Sequence, residues 1–587
     1  MCFTSRSLFF IYMLLITILF SCGGESVVTP ESDDVTTPIT DDGDTDSVDD
    51  SDIDSTLFIT PESHAEPNDY VWDSADEILV NLEAESISVI GEGVTVSGAI
   101  LTINAAGTYR LSGYLYDGQL VVDTDDEGVV RLIFDNVDIS NSTSAPVTIN
   151  SAAKTVIILA KGTHNEITDA AEYIFASADE DEPNAALFSK DDLTIYGQGS
   201  LTVNANYNDG ITSKDGLVIM AANITVQAKD DGIRGKDYLI IEDVDFSINA
   251  LGDGLKSDND NENKGYISIA SGIFNITAGA DAIQAKSNIQ IENGEFTLSS
   301  GGGSHANISS DDSAKGIKAG INIFINGGEF IIDAADDAIH SNNAITINGG
   351  LFEIASADDG IHADIAIVIN DGIINISQSY EGIESGIIVL NGGNIHVVAS
   401  DDGINVAGGN DGSGFTPGGG GNSDYYLQIN DGYIVVNAAG DGLDSNGNIE
   451  MTGGTIIVNG PTQSMNGPLD YDGSFEISGG LLIAVGSSGM AQGLDSSSTQ
   501  LWMGVSFSTQ QANQLIHVQK TDSHEEIVTF APAKNYQSFV FSSSALEGGI
   551  NYDIYMGGSS TGVENDGLFE GGSYTAGELV HTQTTSN

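Results

Sequence analysis

Acidic residues recur at a fixed spacing in the middle of the chain, each opening an acid–small–Ile/Leu phrase. Five of the eight steps between successive acids are 22 or 21 residues long. Several acids also follow a second aspartate, as in Asp230-Asp231, Asp336-Asp337, Asp358-Asp359 and Asp401-Asp402. The phrase begins at Asp209, Asp231, Asp253, Asp281, Asp337, Asp359, Glu381, Asp402 and Asp441.

Stacked repeats would place these carboxylates above one another. At about 5 Å, two carboxylates repel by roughly 3 to 4 kcal/mol at an effective dielectric of 20, and by about 1 kcal/mol in water. Hard divalent cations relieve such crowding, and calcium suits oxygen ligands best. We therefore expect Ca²⁺ as the cofactor. The predicted ligands in the repeats are Asp209, Asp231, Asp253, Asp337 and Asp359. The alternative is that these acids only cap turns and face water.

A second candidate for calcium lies in an inserted loop. Asp258, Asp260 and Glu262 alternate there with two asparagines, which gives a run of oxygen ligands. The run lacks the full twelve-residue EF-hand pattern. It therefore predicts possible calcium ligands but not a calcium-binding loop of the EF-hand type.

Basic residues are concentrated beside the first half of the acids. Ten of the 17 lie between Lys190 and Lys318, and none lies between Lys318 and Lys520. At the position of Arg234 and Lys256, later repeats carry His340 and His362. This arrangement has two compatible interpretations: mutual charge compensation, or a groove for an anionic or polyhydroxylated chain. The predicted carbohydrate-binding residues are Lys214, Arg234, Lys236, Lys256, Lys286 and Lys318.

The overall charge excludes several classes of partner. The 587-residue chain has 86 acidic and 17 basic residues, a formal charge of −69. Phosphates of nucleic acids would be repelled by this charge, as would an anionic bilayer surface. No nucleophile motif, phosphate-binding glycine loop or zinc-type Cys/His spacing is present.

The elements that must position the acids follow from the 22-residue period. Ile345 and Ile347 align with Ile367 and Ile369 of the next repeat, in the alternation of strands with one buried face. Asn-Gly-Gly or Asn-Asp-Gly turns separate such strands and open at Asn326, Asn348, Asn370 and Asn391. Asn and Gly both accept the left-handed conformation of a sharp corner. The pattern predicts an all-β fold, a right-handed parallel β-helix with about 22 residues per rung and small β caps. A β-propeller is the alternative, although its blades need about 40 residues each.

The two ends suggest export and anchoring. Residues 1–22 combine Arg6, a short apolar run and Cys22, which resembles a lipoprotein signal whose cysteine is lipidated. An ordinary signal peptide with a chance cysteine is the alternative. Residues 23–56 predict a disordered tether, 57–186 an N-terminal β-rich cap with the first rungs, 187–490 the β-helix and 491–587 a C-terminal β cap. We expect a monomeric, exported lipoprotein at the cell surface or outer membrane, which touches the membrane only through its anchor.

From about Ala75 onward the chain resembles the family of carbohydrate-binding domain-containing proteins, right-handed parallel β-helices related to calcium-dependent pectate lyases. The phrases that carry this resemblance are AGTYRLSG (106–113), DEPNAALFSK (181–190), YNDGI (207–211), DDGIRGKD (230–237), GDGLKSD (252–258) and YMGGS (555–559).

The resemblance implies binding of plant cell-wall polysaccharide, cellulose-like or polygalacturonate-like, with calcium held by acids of the helix. It also keeps open a calcium-dependent polysaccharide lyase, in which Lys214, Lys236 or Lys256 would be the base. A structural adhesin or spacer is a third possibility. Because a spacer predicts uniform rungs, the uneven basic residues and the insertions favour a binding site.

Overall fold

The computed structural model describes residues 63–177, 179–309, 312–407 and 424–585, and their regular structure is almost entirely β-strand. Within these ranges the helical elements are two short 3₁₀ turns, Pro67–Tyr70 and Ser74–Asp76. None of the described residues forms a helix of the length and apolar character that crossing a membrane requires. The predicted signal peptide with Cys22, and the predicted tether, lie outside the described residues.

The strands coil into a β-solenoid of about 15 turns, which confirms the predicted parallel β-helix. Each full turn contributes to three parallel sheets, and strands that bend around a corner contribute to two of them. The strands of sheet 1 are Ile100–Ile103, Gln119–Asp123, Val147–Ser151, Ala185–Ser189, Asp209–Ser213, Ile233–Gly235, Leu255–Ser257, Ile283–Ala285, Ile317–Ala319, Ile339–Ser341, the first parts of Ile361–Ile369 and Ile383–Leu390, Ile404–Val406, Leu443–Ser445 and Leu469–Tyr471.

Sheets 2 and 3 follow sheet 1 along each turn. The strands of sheet 2 are the first parts of Ile78–Ala84, Gly107–Leu115 and Val129–Ser140, then Lys154–Leu159, Leu193–Tyr196, Gly216–Met220, Tyr238–Glu242, Tyr266–Ile269, Ile289–Ile291, Asn322–Ile325, Ala344–Ile347, the second parts of Ile361–Ile369 and Ile383–Leu390, Tyr426–Ile429, Asn448–Met451 and Phe475–Ile477. Sheet 3 begins with the second parts of the strands Ile78–Ala84, Gly107–Leu115 and Val129–Ser140. Its further strands are His164–Thr168, Ser200–Asn204, Asn223–Ala228, Val244–Ala250, Gly272–Ala278, Glu295–Ser300, Glu329–Ala334, Leu351–Ser356, Ile373–Gln378, Asn394–Ala399, Tyr433–Ala438, Thr455–Asn459 and Leu481–Gly486.

The core consists of stacked columns of equivalent side chains. Ile345 pairs with Ile367 and Ile347 with Ile369 in register, and all four are fully buried. On sheet 3, the rings of Phe274, Phe296, Phe330 and Phe352 stack with centroids 4.5 to 4.6 Å apart and 3° between planes. A single turn could not bury these side chains, so each turn depends on its neighbours for its core.

At the corners between sheets 2 and 3, Asn and Gly have different roles, whereas the prediction gave both the left-handed conformation. The left-handed conformation belongs to the second glycine, as at Gly350 with φ +120°. The asparagine instead joins a ladder in which the Asn348 side-chain amide donates to Asn326 Oδ1 at 2.7 Å, and Asn370 to Asn348 at 2.7 Å. Asn391 continues the ladder at 2.8 Å. Stacking satisfies each side-chain amide along the column, which explains the repeated choice of asparagine.

Both ends of the solenoid carry antiparallel additions. At the first turns, Ser86–Ile90 pairs with Ile78–Ala84, and Val94–Ser97 with Ile100–Ile103. At the last turn, Tyr536–Ser543 pairs with Leu481–Gly486 and with Trp502–Gln510. A separate six-stranded sheet has the order Val563–Asn565, Leu568–Glu570, Glu526–Phe530, Ile516–Lys520, Asn551–Met556 and Glu578–Thr584. Ser559–Ser560 and Tyr574–Thr575 form a two-stranded ribbon. The additions cover the open edges that a solenoid would otherwise expose.

Candidate functional site

The corners on either side of sheet 1 differ from the corner between sheets 2 and 3. The corner between sheets 2 and 3 is short in successive turns of the solenoid, for example between Ile347 and Leu351 and between Leu390 and Asn394. Longer insertions flank sheet 1, and their described parts are 169–177 with 179–184 and 301–309 with 312–316 before its strands, and 258–265 after one of them. These insertions border the outer face of sheet 1, whose floor is the repeated acid phrase.

Parts of the other two faces are occupied by the protein itself. On sheet 2, His64 hydrogen-bonds the Tyr238 hydroxyl at 2.7 Å, and Lys154 Nζ contacts Asp69 at 2.8 Å. On sheet 3, the Tyr433 hydroxyl hydrogen-bonds Asp566 of the C-terminal cap at 3.0 Å. Sheet 1 is therefore the face on which both the chemistry-bearing residues and the insertions converge.

The first residues of the acid phrases form one line, here called the acid column, which is buried in its earlier turns and half-buried at Glu381, Asp402 and Asp441. Asp209, Asp231, Asp253, Asp337 and Asp359 are each at most 5% exposed, so they do not face water. The backbone N–H of each next turn donates to the carboxylate below it: Asp253 to Asp231 at 3.0 Å and Asp359 to Asp337 at 3.0 Å. One oxygen of each carboxylate thus stabilises the stacking, while the other is left for side chains. In one turn the acid is replaced by Lys315.

A second line of side chains runs beside the acid column, three residues after each acid, and is here called the central column. It is defined by register, and in chain order it contains Thr212, Arg234, Lys256, Gln284, Lys318, His340, His362, Glu384, Asn405, Asp444 and Asp470. Its character changes from cations to histidines and then to acids along the solenoid.

The cations of the central column neutralise the acid column. Lys256 Nζ lies 2.7 Å from Asp253 and 3.0 Å from Asp231, and Lys318 Nζ lies 3.4 Å from Asp281. Burial would lower the pKa of Lys256, but Asp253 and Asp231 raise it well above its usual range. Arg234 hydrogen-bonds Asp258 of the inserted loop. Three of the six predicted carbohydrate-binding residues thus serve as internal counter-ions.

The other three predicted cations lie in a separate line at the corner between sheets 1 and 2, here called the outer column. Lys214, Lys236 and Lys286 immediately follow sheet 1 strands, with Lys190 one turn earlier at the equivalent position. Lys214 Nζ contacts Glu182 at 2.7 Å, and Lys286 Nζ contacts Asp260 at 3.0 Å. The side chains of Lys190 and Lys286 are 48% and 57% exposed. The corner is accessible to a ligand at Lys190 and Lys286, whereas Lys214 and Lys236 are half-buried.

The acids of the inserted loop do not converge. Asp258 faces Arg234, Asp260 faces Lys286, and Glu262 is exposed. The predicted ligand run is therefore spread over separate partners in this conformation.

Two all-carboxylate groups have ligand oxygens within 4.8 Å of one another: Asp209 with Asp230 and Asp231, and Asp336 with Asp337 and Asp358. Lys315 Nζ already contacts the second group at 2.7 and 2.6 Å. In the first group, burial and then the charge of Asp231 raise the pKa of Asp209 to about 7. Asn184 donates to Asp209, and its own buried carbonyl oxygen accepts no hydrogen bond from a described residue. Lys256 Nζ lies 3.0 Å from Asp231 and Arg234 Nη1 lies 3.9 Å from Asp209, but each cation is shared with another acid. Three carboxylates with only shared cations, beside a buried carbonyl oxygen that accepts no hydrogen bond, suit calcium.

The last turns hold acids that sequence reasoning missed. Glu384, Asp444 and Asp470 occupy the central column where earlier turns have cations. Burial and then the charge of Asp441 raise the pKa of Asp402 to about 8. Burial and then the charge of Asp402 raise the pKa of Asp444 to about 8. The sequence does contain a signal for these acids. It is the residue three positions after the first residue of each phrase, compared over all repeats and not only over those up to His362.

Comparison with known proteins agrees with the sequence phrases. A family model for carbohydrate-binding domain-containing proteins matches residues 97–360. A carbohydrate-binding domain-containing protein from Acetivibrio thermocellus is 48% identical over 212 residues, which are 36% of this chain and 74% of that protein. A solved polysaccharide lyase-like protein from C. thermocellum, a gadolinium derivative, is 38% identical, covers 38% of this chain and 91% of its own, and superposes with a TM-score of 0.37. The chain belongs to the family of carbohydrate-binding domain-containing proteins.

Proposed function

We propose that sheet 1 binds a polysaccharide of the plant cell-wall type, cellulose-like or polygalacturonate-like, without cleaving it. The observation that carries this proposal is the placement of the insertions along sheet 1, together with the accessible lysines of the outer column. Stacked strands lie about 4.8 Å apart, so Lys190, Lys214 and Lys236 stand on successive turns, and Lys286 follows after the turn that has Asp258 at this position. The outer column thus presents a line of ammonium groups to a linear polymer. Lysine ammonium groups would contact the carboxylates of a polygalacturonate chain through charge-assisted hydrogen bonds.

Calcium is the proposed cofactor, held by Asp209, Asp230 and Asp231. Bound there, it would complete the partial neutralisation by Lys256 and Arg234, and it would bridge protein and polymer carboxylates. Asp253 and Asp337, which were also predicted as ligands, already have Lys256 and Lys315 as counter-ions. The calcium proposal therefore rests on the Asp209 group, at the start of the lysine columns.

The environment of the lysines supports binding over lyase chemistry. A lyase base must be neutral to take the proton next to a uronate carboxylate. Lys256 lies between Asp231 and Asp253, and the raised pKa of Lys256 keeps it as an ammonium ion at neutral pH. Lys214 is held by Glu182 at 2.7 Å.

Retention on insoluble polygalacturonate and on cellulose tests the proposal, with calcium present. Lys236→Ala and the pair Lys214→Ala with Lys286→Ala should reduce retention on polygalacturonate. Lys161→Ala is the matched control, because Lys161 is an exposed lysine in a corner between sheets 2 and 3. Equal retention of all variants, or no retention of the parent on either polymer, would contradict the proposal. Steady growth of ultraviolet absorbance from an unsaturated product, lost in one lysine variant, would instead identify a lyase.

Calcium is tested separately by thermal unfolding. Calcium should raise the Tm and a chelator should lower it, because the ion binds the folded acids and hardly binds the unfolded chain. Asp209→Asn with Asp231→Asn should blunt this response, and Asp231→Asn with Asp253→Asn should do so less. A Tm that is indifferent to calcium and chelator would leave the acids as internal partners of the lysines.

The proposed location is the cell surface or outer membrane, through a lipid on Cys22. The support is the apolar run that ends at Cys22 and the Ser/Thr/Asp-rich segment after it. Cys22→Ser should move the protein from the membrane fraction to the soluble fraction, and unchanged fractionation would reject the anchor.

A further inference from the structure

One cluster in the later turns of sheet 1 combines nitrogen and oxygen ligands. Asp359 opens a turn, His362 is its central-column residue, and Glu384 is the central-column residue of the next turn. Each is at most 4% exposed. One ligand atom from each lies within 4.8 Å of the other two. His362 Nδ1 lies 3.0 Å from Asp359 Oδ2 and 3.4 Å from Glu384 Oε2.

No lysine or arginine of this chain is near in sequence to neutralise the cluster, since none lies between Lys318 and Lys520. Two buried carboxylates thus face one imidazole, with no lysine or arginine in the turns on either side. The corresponding place in earlier turns is filled by Lys256, which contacts acids of two turns at once.

A second observation points to a ligand at the same place. Asn405, the next member of the central column, is 3% exposed. Its side-chain Nδ2 donates to Glu381 Oε2 at 2.5 Å and lies 3.4 Å from Glu384 Oε1, so the amide borders the cluster. Its carbonyl oxygen is buried and accepts no hydrogen bond from the described residues. A buried carbonyl oxygen without a donor is costly, and a cation would satisfy it.

We propose that Asp359, His362 and Glu384 form a site for a divalent transition metal of the zinc class. The Asn405 amide would add an oxygen donor if it rotated to turn Oδ1 instead of Nδ2 towards Glu384. Zinc takes imidazole nitrogen and carboxylate oxygen at about 2.0 to 2.1 Å, which places neighbouring ligands of a tetrahedron about 3.3 Å apart. The distances of 3.0 and 3.4 Å from His362 Nδ1 are close to this value. The imidazole is the reason to choose this class over calcium, which prefers oxygen.

The surroundings of His362 suit a metal ligand. Its other ring nitrogen, Nε2, lies 3.7 Å from Asp364 Oδ1. A carboxylate on that side favours the proton on Nε2 and leaves the lone pair of Nδ1 for the metal. His340, one turn earlier, differs because its Nδ1 contacts Asp337, which Lys315 already neutralises. His362, Glu384 and Asn405 lie beyond residues 97–360, so the family match does not supply this site.

The test uses the full chain without a histidine tag, stripped with a chelator and titrated with Zn²⁺ or Co²⁺. Binding is followed by calorimetry, and Co²⁺ also by visible absorption, which reports nitrogen and oxygen ligands in a tetrahedral site. Glu384→Gln mimics the protonated acid, so the metal-free variant should keep the Tm of the parent. It should nevertheless lose zinc affinity by at least about tenfold, and His362→Gln should do the same.

His164→Gln is the matched control, because His164 is an exposed histidine on sheet 3 next to Ser200. It should bind zinc like the parent. Zinc binding that survives in both Glu384→Gln and His362→Gln, or no saturable binding by the parent, would overturn the proposal. Calcium binding as tight as zinc and insensitive to His362→Gln would overturn the choice of metal. The inference does not depend on the proposed function, since no sugar enters the test.

Discussion

Two segments of sheet 1 have the same backbone and opposite electrostatics. In the lysine-rich segment, whose turns open between Asp209 and Asp337, the acids meet Arg234, Lys256, Lys315 and Lys318. In the lysine-free segment, whose turns open at Asp359, Glu381, Asp402 and Asp441, the central column holds a histidine and then polar or acidic residues. On sheet 1 the pairing continues in register from His340 through His362 and Glu384 to Asn405, and the register shifts only after Ala363, at the next corner.

The difference shows that a few positions decide how the acid column is neutralised. Lys256 in the central column contacts acids of two turns, and Lys315 in the acid column contacts Asp336 and Asp337, so the first segment carries its own cations. A carboxylate or amide in the central column leaves the acids protonated or dependent on an external cation. The family match, which ends at residue 360, covers the lysine-rich segment and stops where the lysine-free segment begins.

The largest expected effect concerns the free energy of unfolding: replacing an acid by Asn should lower it in the lysine-rich segment but not in the lysine-free segment. Asp337→Asn should lower the free energy of unfolding by about 3–5 kcal/mol, because it breaks a buried pair and leaves Lys315 with less negative charge. Asp444→Asn should leave it unchanged or raise it at pH 8, because the pKa of Asp444 is already raised to about 8. Denaturant unfolding with a chelator present measures both. Losses of equal size would show that the segments do not differ.

The next effect is a pH dependence that belongs to the lysine-free segment. The pKa values of Asp402 and Asp444 are raised to about 8 when folded, so folding favours their protonated forms. Their contribution to stability is complete below about pH 4 and is lost as the pH rises toward 8. The Tm of the chelated protein should therefore fall between pH 5 and pH 8.5. Asp402→Asn with Asp444→Asn should flatten this fall, and an unchanged slope would contradict the assignment.

A smaller effect is expected from moving a lysine into the lysine-free segment. Asn405→Lys places an ammonium group three residues after Asp402, as Lys256 follows Asp253. It should contact Glu381 and Asp402 and raise the free energy of unfolding by about 1.5–3 kcal/mol at pH 8. Asn394→Lys, on the exposed side of sheet 3, adds the same charge elsewhere and should change it by less than about 0.5 kcal/mol. Equal effects would show that only net charge matters.

The smallest change in stability is expected from removing a lysine of the outer column, and a lysine of the central column in the same segment provides the comparison. Lys236→Ala should change stability by less than about 0.5 kcal/mol, because Lys236 lies at a corner outside the acid column. Lys256→Ala should lower stability markedly, since Asp231 and Asp253 lose their shared counter-ion. Thermal unfolding compares the two variants. A large loss from Lys236→Ala would make the outer column structural and weaken its proposed role in binding polysaccharide.

Much of the fold was determined by the sequence alone. The 22-residue period, the alternation around Ile345 and Ile367, and the Asn-Gly-Gly corners specify stacked strands, because only stacking buries such short apolar runs. The placement of the acids in one column follows from the same period. Family membership likewise followed from local phrases. The role of asparagine in the corners did not, since a side-chain ladder between turns has no local signal.

Only the tertiary structure decided what each charge does. Lys236 and Lys256 look alike in the sequence, yet one lies at a corner outside the acid column and the other between two buried carboxylates. Asp258 and Asp260 are two residues apart and face different cations. His362 meets Glu384 because the register brings residues of successive turns together. Contacts between turns join residues about 22 positions apart, and their distances depend on side-chain direction and burial, which spacing along the chain does not contain.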